Sequence, residues 1–483
     1  MKILLASLSV EPDSRARHSP NCPYSLGLAY LQAVLERDGH EVRLLFLNNF
    51  SHRIAAERTL KCIGEWQPRV VGFQIFSMNR VSTYKVLDVM KSAYPDTHVV
   101  VGGIHTSVMF QQILEKYPHV IAVIGEGELT LSELVKAFEA GASYDRIAGL
   151  AFWRDGYIVR TQVRPLIEDL DALPFPKHEA FFEDEQNRVS AHIITSRGCP
   201  FGCSFCCLGI ISHHRWRKRN IVKVVNELKM LKKKYPRLRS VQLHDDTFFL
   251  DNKRVVEFCE LVIEANLSLK FVCSSRVKPV SADLFRWMQR AGFVKIMFGL
   301  ETGSPTLLKS VHKGITPDDV LYLFKELREF DFHITTFLMC GFPGETDATI
   351  SETIALVRST QKIHYNYIAG IGKLWVYPGT EVYQTMKAAG CIDDEFWLTE
   401  KPVPYFTVEH PFAKLIEFEE RMMNELSVDR VFSPEGFRRQ VPYMWREITG
   451  YLLTHPQHLI VIAKQKLSPL KRLVRSAFSQ TAD

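Results

Sequence analysis

Residues 195–207 read TSRGCPFGCSFCC and contain Cys199, Cys203 and Cys206 in the spacing C-x₃-C-x₂-C. The segment follows a short apolar run that is typical of a β-strand. Three thiolates in such a loop can each bind one iron of a cubane iron–sulfur cluster. The fourth iron then has no protein ligand and is open to a substrate or cofactor. The glycines of the loop suit a backbone that must wrap closely around inorganic sulfur.

A structural zinc loop is the alternative interpretation of these cysteines. Such loops generally need four ligands in two pairs, and no second C-x₂-C pair lies nearby in the sequence. Cys259 and Cys273 fall inside a predicted helix and a predicted strand. Cys207 is adjacent to Cys206, and we interpret it as a buried thiol that points away from the cluster.

The size and composition of the chain predict a multidomain, water-soluble protein. Its 483 residues predict two to four domains, and the net charge of +6 is too small to indicate nucleic-acid binding. No apolar run reaches the roughly 18 residues that a membrane span requires. The first residues, MKILLASLSVEPD, predict a strand rather than a signal peptide. We therefore expect the ten cysteines to lie in a reducing cytoplasm, where clustered thiols indicate metal binding or catalysis.

Residues 1–145 alternate strand-like and helix-like patterns, which predicts an α/β, doubly wound, Rossmann-like domain with a parallel sheet. In such sheets ligands bind beyond the carboxyl ends of the strands. Glycine-bearing turns follow the predicted strands that end at Val101 and Ile124. These turns are therefore expected at the ligand-binding edge.

The rest of the chain predicts a linker, a second α/β array and a helical end. Residues 146–188 read as a linker with a small hairpin and a proline-rich part, and residues 389–483 as a mainly helical C-terminal region that caps the barrel. Between them, residues 189–388 contain six strand–helix units, which predicts an open, partial (β/α)₆ barrel. Its predicted strands are residues 192–195, 240–244, 269–273, 295–298, 333–338 and 371–376. Asn220 is the predicted N-cap of a helix over residues 221–235.

The cysteine spacing, with Phe205 directly before the third cysteine, resembles the radical S-adenosylmethionine (SAM) superfamily. The resemblance implies that Cys199, Cys203 and Cys206 hold a [4Fe–4S] cluster that binds SAM. An electron from the cluster would cleave SAM and release a 5′-deoxyadenosyl radical. The protein would supply position and exclude water, while the cofactors supply the chemistry.

The ends of the later strands resemble further segments of the same family. At the second strand, Asp245 and Asp246 stand where the family often has a Gly-Gly-Glu-like motif that contacts the cofactor's amino group, although they can also cap a helix. Resemblance further implies cofactor contacts from the ends of the third, fourth and fifth strands, at Ser274, Arg276, Glu301 and Gly341. Arg276 can alternatively pair with a nearby acid, and the Gly341 turn can be architectural.

The N-terminal domain resembles the cobalamin-binding domain of class B radical SAM methyltransferases and of the anaerobic cyclase for magnesium-porphyrins. The segments that carry the resemblance include VGGIH at residues 101–105 and IGEGE at residues 124–128. By resemblance, the candidate cobalamin-binding residues are Gly102, Gly103, His105, Gly125, Glu126 and Gly127. The Asp-x-His-x-x-Gly sequence that ligates cobalt in many cobalamin proteins is absent. His105 can instead cap a helix, and a domain that no longer binds the corrin stays an alternative.

Together these domains predict a cobalamin-dependent radical SAM methyltransferase that methylates an unactivated carbon of a biosynthetic intermediate. Methylcobalamin would supply the methyl group. The alternative is a radical enzyme with the same cofactors but without methyl transfer, which performs an oxidative cyclisation, ring contraction or hydration. A tRNA methylthiolase is disfavoured because the extra cluster cysteines are missing, and a non-catalytic cobalamin sensor would leave the cysteine triplet without a purpose.

The expected partners are a small-molecule or lipid-like substrate and a reductant such as flavodoxin or ferredoxin, with no nucleic acid. The basic segment Lys464 to Arg475 predicts either peripheral contact with an anionic membrane or a solvated helix face. The identity of the substrate does not follow from the sequence.

Overall fold

The computed structural model describes residues 1–10, 24–48, 50–181 and 189–431. Residues Met1–Met422 form one compact unit, and a second unit begins at Met423. The predicted membrane-contact segment and the predicted helical stretch near residues 458–478 lie outside the described residues. In the part of the chain that is described, no helix has the length and apolar character needed to cross a membrane.

The N-terminal sheet has seven strands in the order β2-β1-β3-β4-β5-β6-β7. The strands are β1 (Lys2–Ser7), β2 (Glu41–Phe46), β3 (Val70–Gln74), β4 (His98–Gly102), β5 (Val120–Val123), β6 (Leu150–Arg154) and β7 (Tyr157–Arg160). The helices are α1 (Leu26–Arg37), α2 (His52–Trp66), α3 (Arg80–Ala93), α4 (Ile104–Lys116) and α5 (Gly127–Ala140). The first five strands pair in parallel and the last two antiparallel. The doubly wound parallel sheet is thereby confirmed.

The second sheet has six parallel strands in the order β15-β14-β13-β12-β11-β8. Its strands are β8 (Ser190–Ile193), β11 (Ser240–Leu243), β12 (Lys270–Ser275), β13 (Phe293–Glu301), β14 (His333–Cys340) and β15 (Tyr367–Lys373), and a small ribbon is formed by β9 (Ser196–Arg197) and β10 (Arg217–Lys218). Among the described residues β8 and β15 are its two edges, so the sheet is an open, partial barrel as predicted.

Helices cover the outer face of this barrel, and others continue the chain toward its end. They are α6 (Leu208–Ser212), α7 (Ile221–Lys234), α8 (Asn252–Ala265), α9 (Ala282–Ala291), α10 (Pro305–Ser310), α11 (Pro317–Leu327), α12 (Asp347–Ile363), α13 (Glu381–Ala388) and α14 (Phe412–Val431). The Asn220 side chain accepts hydrogen bonds from Val222 N and Lys223 N at the start of α7, which confirms the predicted N-cap.

Two elements differ from the sequence-based expectation. The hairpin predicted inside the linker forms β6 and β7, and it extends the N-terminal sheet to Arg160 rather than standing apart from it. The last barrel strand, predicted over residues 371–376, lies at Tyr367–Lys373. The prediction missed residues 367–370, which include Gly370, because a glycine weakens a strand pattern. The domain boundaries given in the sequence analysis remain predictions.

A single hydrophobic core crosses from the N-terminal sheet into the barrel and the segment after it. It includes Phe73 and Val101 from the first sheet together with Phe342 and Trp397 from the later residues. Arg80 of α3 is buried against this segment, and its guanidinium donates to the carbonyls of Trp397 and Thr399 at 3.0 and 3.2 Å. The two sheets are therefore joined by packing and by buried hydrogen bonds.

Candidate active site

The three cysteines of the predicted cluster loop lie between β9 and α6. All nine cysteines in the described residues are free thiols. Burial, with smaller contributions from the neighbouring Cys207, Cys203 and Cys199 thiols, raises the pKa of the Cys206 thiol to about 12. The thiols of the cluster loop therefore lie in one neighbourhood. Iron is bound by thiolates, so metal binding would replace the protons that burial otherwise retains.

The arrangement of these thiols bears on the zinc alternative. Across residues 1–10, 24–48, 50–181 and 189–431, no three His, Cys, Asp or Glu side chains converge as ligands of a single metal ion. A cubane cluster has a different requirement, because each of its cysteines binds a different iron. Cys199, Cys203 and Cys206 supply three such ligands, which would leave one iron of the cluster without a protein ligand.

Two adjacent carboxylates at the end of β11 hold the start of the cluster loop. Asp245 is buried and accepts hydrogen bonds from Thr195 N at 2.6 Å, Thr195 Oγ1 at 2.5 Å and Ser196 Oγ at 2.5 Å. Asp246 accepts a hydrogen bond from Gly198 N at 3.1 Å. Asp245 is thus already engaged by the protein, whereas Asp246 also faces a cavity. Burial raises the pKa of Asp246 to about 6.

Gly198 directly precedes the first cysteine and has a left-handed backbone with φ of +87°. A Cβ atom at this position would lie 2.2 Å from the carbonyl oxygen of Arg215. A side chain therefore cannot be accommodated without moving the backbone. Gly198 is therefore required, because the backbone just before β10 passes close to it.

On the other side of the loop, a cationic group approaches the second cysteine. Arg276 Nη1 lies 3.6 Å from Cys203 Sγ, and its guanidinium stacks 3.8 Å above the centre of the Phe201 ring. Arg276 Nη2 also donates to the carbonyl of Lys313. Arg276 therefore lies beside the predicted cluster, as the family resemblance implies for a cofactor contact.

Glu301 lies at the end of β13 and forms a buried ion pair with Lys313, with Lys313 Nζ 2.7 Å from Glu301 Oε1. The absence of a side chain at Gly299 makes room for the pair, because a Cβ there would lie 2.4 Å from Glu301 Oε1. The sequence analysis missed Lys313, whose position in a loop after α10 carried no signal. The ion pair limits what else Glu301 can bind.

The remaining predicted barrel residues occupy different surroundings. Ser274 is half-buried on the inner face of β12. Gly341 forms the turn after β14 and donates its N–H to Glu345 Oε2 at 3.2 Å. Phe205 packs with its ring centre 5.6 Å from that of Phe342 and contacts the shared core. None of the three lines the cavity described next.

A cavity of about 340 Å³ lies between the carboxyl edges of the two sheets, within the size range of small-molecule sites. Its walls include predicted cobalamin residues of the N-terminal domain and residues of the cluster loop region. The former are Gly102, Gly103, Gly125, Glu126 and Gly127, and the latter include Ser196, Arg197, Gly198, His244 and Asp246. The glycine turns of the predicted cobalamin site therefore share one space with Asp246 of the predicted SAM site, whereas Cys199, Cys203 and Cys206 are not among its lining residues.

Glycines shape the N-terminal wall of this cavity. Gly103 has φ of +98°, and a Cβ there would lie 2.8 Å from the Ile75 carbonyl oxygen. Gly125 has φ of +83°, but a Cβ there would have no atom within 4 Å, so this side of the turn is open. A wall without side chains allows the backbone to approach a flat ligand closely. These residues fit the corrin that the sequence predicts.

Glu126 links the cavity wall to the cluster loop. Its carboxylate lies 2.9 Å from Arg217 Nη2 and 3.2 Å from Arg197 Nη1, and it accepts a hydrogen bond from Ile167 N at 2.8 Å. Arg197 also pairs with Glu128 at 2.7 Å. Burial raises the pKa of Glu126, but the hydrogen bond from Arg217 and the charge of Arg197 lower it overall. Arg197 and Arg217 were not predicted, although Arg197 lies within the cysteine segment itself.

His105 does not contact the cavity, so the structure does not support its predicted role as a cofactor ligand. Its ring is fully buried, with Nδ1 2.9 Å from Ser77 Oγ and Nε2 3.4 Å from the Tyr84 hydroxyl. Burial lowers the pKa of His105 to about 3, so the ring is neutral. The adjacent turn reaches the cavity, but the His105 side chain points into the core.

A histidine from the barrel does reach the cavity. His244 directly follows β11 and lines the cavity, and its Nε2 lies 2.6 Å from His192 Nδ1. Burial lowers the pKa of His244. No histidine of residues 24–48 or 50–145 lines the cavity, in agreement with the missing Asp-x-His-x-x-Gly sequence.

Comparisons with known protein families match both halves of this site. Residues 193–357 match the family model of the radical SAM superfamily, and residues 15–135 match that of the B12 binding domain. The chain is a radical SAM enzyme with a B12-binding domain. These two matches confirm the predicted α/β fold. They also confirm the predicted cofactors, which are a [4Fe–4S] cluster, SAM and cobalamin.

Among proteins similar to this radical SAM enzyme, an uncharacterized methyltransferase of Pyrococcus horikoshii is 29% identical over 430 residues, which cover 88% of this chain and 90% of the relative. The anaerobic magnesium-protoporphyrin IX monomethyl ester cyclase of Cereibacter sphaeroides is 30% identical over 339 residues. That alignment covers 68% of this chain and 55% of the cyclase.

Two solved structures share the fold of the radical SAM enzyme. The cobalamin-dependent SAM radical enzyme OxsB, with aqua-cobalamin and SAM bound, superposes with a TM-score of 0.71 at 16% identity over 99% of this chain and 75% of OxsB. The radical SAM methyltransferase TsrM from Kitasatospora setae, with cobalamin and a [4Fe–4S] cluster bound, superposes with a TM-score of 0.63 at 20% identity. That superposition covers 80% of this chain and 75% of TsrM. At these identities the likeness concerns the fold.

Proposed function

We propose that this enzyme cleaves SAM at its cluster and transfers a methyl group to an unactivated carbon of a small biosynthetic intermediate. The observation that carries the proposal is the cavity that the predicted cobalamin turns, with Gly102 and Gly125, share with the start of the cluster loop at Gly198 and with Asp246 of the barrel. When bound, the cluster would supply the electron that cleaves one SAM into methionine and a 5′-deoxyadenosyl radical, and cobalamin would supply a methyl group that it receives from a second SAM. The methyltransferase relative of Pyrococcus horikoshii supports this reaction class.

The residues of the chain have distinct proposed roles. Cys199, Cys203 and Cys206 would hold the cluster, and Arg276 would place positive charge beside it. Glu301, held by Lys313, would face the SAM ribose. Asp245 would hold the start of the loop by hydrogen bonds rather than contact SAM. Burial of Asp245, Arg276 and Glu301 would help to keep water away from reactive species.

The glycines on the N-terminal side of the cavity have proposed roles in cobalamin binding. Gly102, Gly103, Gly125 and Gly127 would allow close approach of the corrin and its tail, and Glu126 would fix this wall to Arg217 of the barrel. Asp246 would lie across the cavity from them. Ser274, Phe205 and Gly341 stay proposed SAM contacts on family resemblance alone.

The second candidate is a radical reaction with the same cofactors but without methyl transfer. The similarity to a cyclase of Cereibacter sphaeroides favours it. The two reactions differ in the fate of the SAM methyl group. With SAM labelled in its methyl group, mass spectrometry of the product distinguishes them, since only methyl transfer places the label in the product.

Replacement of Cys203 by Ala tests the proposed SAM cleavage. Because each cysteine binds a different iron, Cys203→Ala should lose the visible absorbance of the cluster and the formation of 5′-deoxyadenosine from SAM. The matched control is Cys391→Ala, which removes an exposed free thiol after α13. Iron and cobalt content, the absorption spectrum and 5′-deoxyadenosine are measured under anaerobic conditions. A Cys203→Ala enzyme that keeps its cluster and still cleaves SAM contradicts the proposal.

The electron for this reaction must come from outside the chain, as for radical SAM enzymes in general. We propose a flavodoxin or ferredoxin as the donor. The free thiols of the described residues suit the reducing cytoplasm in which such donors act. Loss of turnover when the flavodoxin or ferredoxin is omitted, and its recovery on addition, tests this partner.

A further inference from the structure

Arg197 lies where the cluster-loop segment meets the B12-binding domain. It is two residues before Cys199, and its guanidinium contacts two carboxylates at the start of α5. Arg197 Nη1 lies 3.2 Å from Glu126 Oε1, and Nη2 lies 2.7 Å from Glu128 Oε1. The guanidinium also lies 4.9 Å from the centre of the Tyr30 ring on α1. A single side chain beside the cluster cysteines therefore contacts two helices of the other domain.

Arg217 holds one of the same carboxylates from the neighbouring strand. β9 and β10 pair antiparallel, with Arg197 opposite Arg217. Both Nη atoms of Arg217 lie 2.9 Å from the Glu126 carboxylate, which is the bidentate geometry of a strong ion pair. We call Arg197, Arg217, Glu126 and Glu128 the arginine junction. Because Arg217 keeps its own pair with Glu126, replacing Arg197 alone leaves the two domains joined.

The backbone between the arginine junction and the first cluster cysteine is tightly held. Gly198 lies between Arg197 and Cys199 and has φ of +87°, and its N–H donates to Asp246 at 3.1 Å. A Cβ atom at Gly198 would lie 2.2 Å from the Arg215 carbonyl oxygen, so the backbone here is closely packed. The position of the Arg197 side chain is therefore linked to the position of the Cys199 backbone.

The arginine junction also lines the central cavity, where a bound ligand would exclude water from it. All four of its residues line this cavity. The side chain of Arg197 is 16% exposed and that of Glu126 is 9% exposed, so water still reaches the pair. Ion pairs are weakened by contact with water and strengthened where water is excluded. A ligand that fills the cavity would therefore strengthen the contact between Arg197 and the B12-binding domain.

Two buried hydroxyl groups indicate that the ligand of this cavity is polar in part. Tyr30 and Ser212 both line the cavity and are both 3% exposed. Among the residues that the structure describes, neither Tyr30 Oη nor Ser212 Oγ has a hydrogen-bond partner. Buried polar groups are normally hydrogen-bonded, and a bound ligand can supply these partners. Tyr30 belongs to the B12-binding domain and Ser212 to α6, directly after the cluster loop, so one ligand would contact both sides.

We propose that Arg197 is a positioning residue that couples the two cofactor sites, so that binding of either cobalamin or the cluster raises the affinity for the other. A ligand in the cavity strengthens the Arg197 contacts, which hold the segment before Cys199 in its cluster-binding conformation. A loop that is already held loses less conformational entropy when the cluster binds. By thermodynamic linkage, the two affinities rise by the same factor. The inference concerns cofactor binding and does not depend on the proposed methyl transfer.

The affinity for cobalamin in the presence and absence of the cluster tests the proposal. Full-length wild-type protein is reconstituted anaerobically with its cluster, and half of it is then stripped of iron with a chelator. Equilibrium dialysis with hydroxocobalamin gives the dissociation constant of each form. We expect the cluster to lower this constant by about tenfold, a typical coupling between two sites.

Two variants of the arginine junction should reduce this ratio of dissociation constants. Arg197→Gln should reduce it to less than about twofold, because the amide cannot form the ion pairs. A merely structural defect would weaken binding to both forms equally and leave the ratio unchanged. Glu128→Gln weakens the same contact from the B12-binding domain and should lower the ratio by at least about twofold. This second variant decides the question if Arg197→Gln takes up no cluster.

The matched control is Arg215→Gln, which removes an exposed ion pair with Glu168 in the same segment of the chain. Its ratio should equal that of the wild type. The reciprocal measurement follows the cluster. Loss of iron from the wild type to excess chelator should slow by about tenfold when hydroxocobalamin is present, and it should not slow in Arg197→Gln.

Equal dissociation constants for the two wild-type forms would overturn the coupling. A ratio that stays at the wild-type value in both Arg197→Gln and Glu128→Gln would overturn the role of the arginine junction, and a ratio that falls equally in Arg215→Gln would do the same. These outcomes are separate from those of the proposed function. Cofactor binding is measured without substrate, so a failure of SAM cleavage or of methyl transfer leaves the test of Arg197 intact.

Discussion

The two walls of the central cavity are built in different ways. The cluster-loop wall is held by buried side chains, above all the Asp245 carboxylate with its three donors. The cobalamin-side wall is formed in part by Gly103 and Gly125, which have no side chains. A loop that carries metal ligands needs a fixed geometry, whereas a wall that meets a large flat ligand needs space. The structure meets these needs with hydrogen bonds in one case and glycines in the other.

Removing the Asp245 carboxylate should have the largest effect. Asp245→Ala leaves the Thr195 and Ser196 donors buried without their acceptor, which should cost about 3 kcal/mol or more of unfolding free energy. The cluster should also be lost, because the loop before Cys199 is no longer held. Denaturant unfolding and iron content measure the two effects.

The matched control for this change is Asp283→Ala, which removes an exposed carboxylate on α9. Its unfolding free energy should change by less than about 0.5 kcal/mol. Equal stability of Asp245→Ala and Asp283→Ala would show that the loop does not depend on the buried carboxylate.

A methyl group at Gly103 should have the next largest effect. Gly103→Ala combines a positive φ with a close contact to the Ile75 carbonyl, and the backbone conformation alone should cost about 1 to 2 kcal/mol. Gly125→Ala has the positive φ without the contact and should destabilise less. Both should lower the cobalt content after reconstitution, because both turns line the cavity. Unchanged cobalamin binding in both variants would argue against this wall as the corrin site.

Replacing the Glu126 carboxylate by an amide should have the smallest effect on stability near neutral pH, about 1 kcal/mol, because the amide oxygen can still accept one of its hydrogen bonds. The lowered pKa of Glu126 means that its stabilising contribution is present above the unfolded-state pKa and is lost as the pH falls through the folded-state pKa. Glu126→Gln should therefore lose part of the wild type's acid sensitivity below about pH 4.5. Unfolding measured from pH 3 to 7 tests this. The control is Glu57→Gln, which alters an exposed carboxylate on α2. Identical pH profiles for wild type and Glu126→Gln would contradict it.

Local patterns predicted the elements of the site well. The C-x₃-C-x₂-C spacing, the glycine turns after β4 and β5, and the N-cap at Asn220 depend on residues close together in the chain. Such features follow from short-range geometry, so the sequence contains them directly. The start of β15 was predicted four residues too late because Gly370 resembles a loop residue when tertiary contacts are unknown.

Roles that depend on distant partners could not be predicted in the same way. The Asp245 carboxylate, expected to contact a cofactor or cap a helix, instead binds Thr195 and Ser196 some fifty positions earlier. His105, expected at the corrin, turns into the core toward Ser77 and Tyr84. Burial and the choice of partner decide these roles, and both arise only when the sheets pack.

The sequence alone predicted the cluster ligands, the order of the two α/β domains and the glycines of the cobalamin-side turns, because each is encoded in contiguous residues. Only the tertiary structure decided that these turns share a cavity with the start of the cluster loop and Asp246, and that Arg197 and Arg217 join the two walls through Glu126. These features bring together residues that are far apart in the chain. Their proximity comes from the packing of two sheets, which no local pattern records.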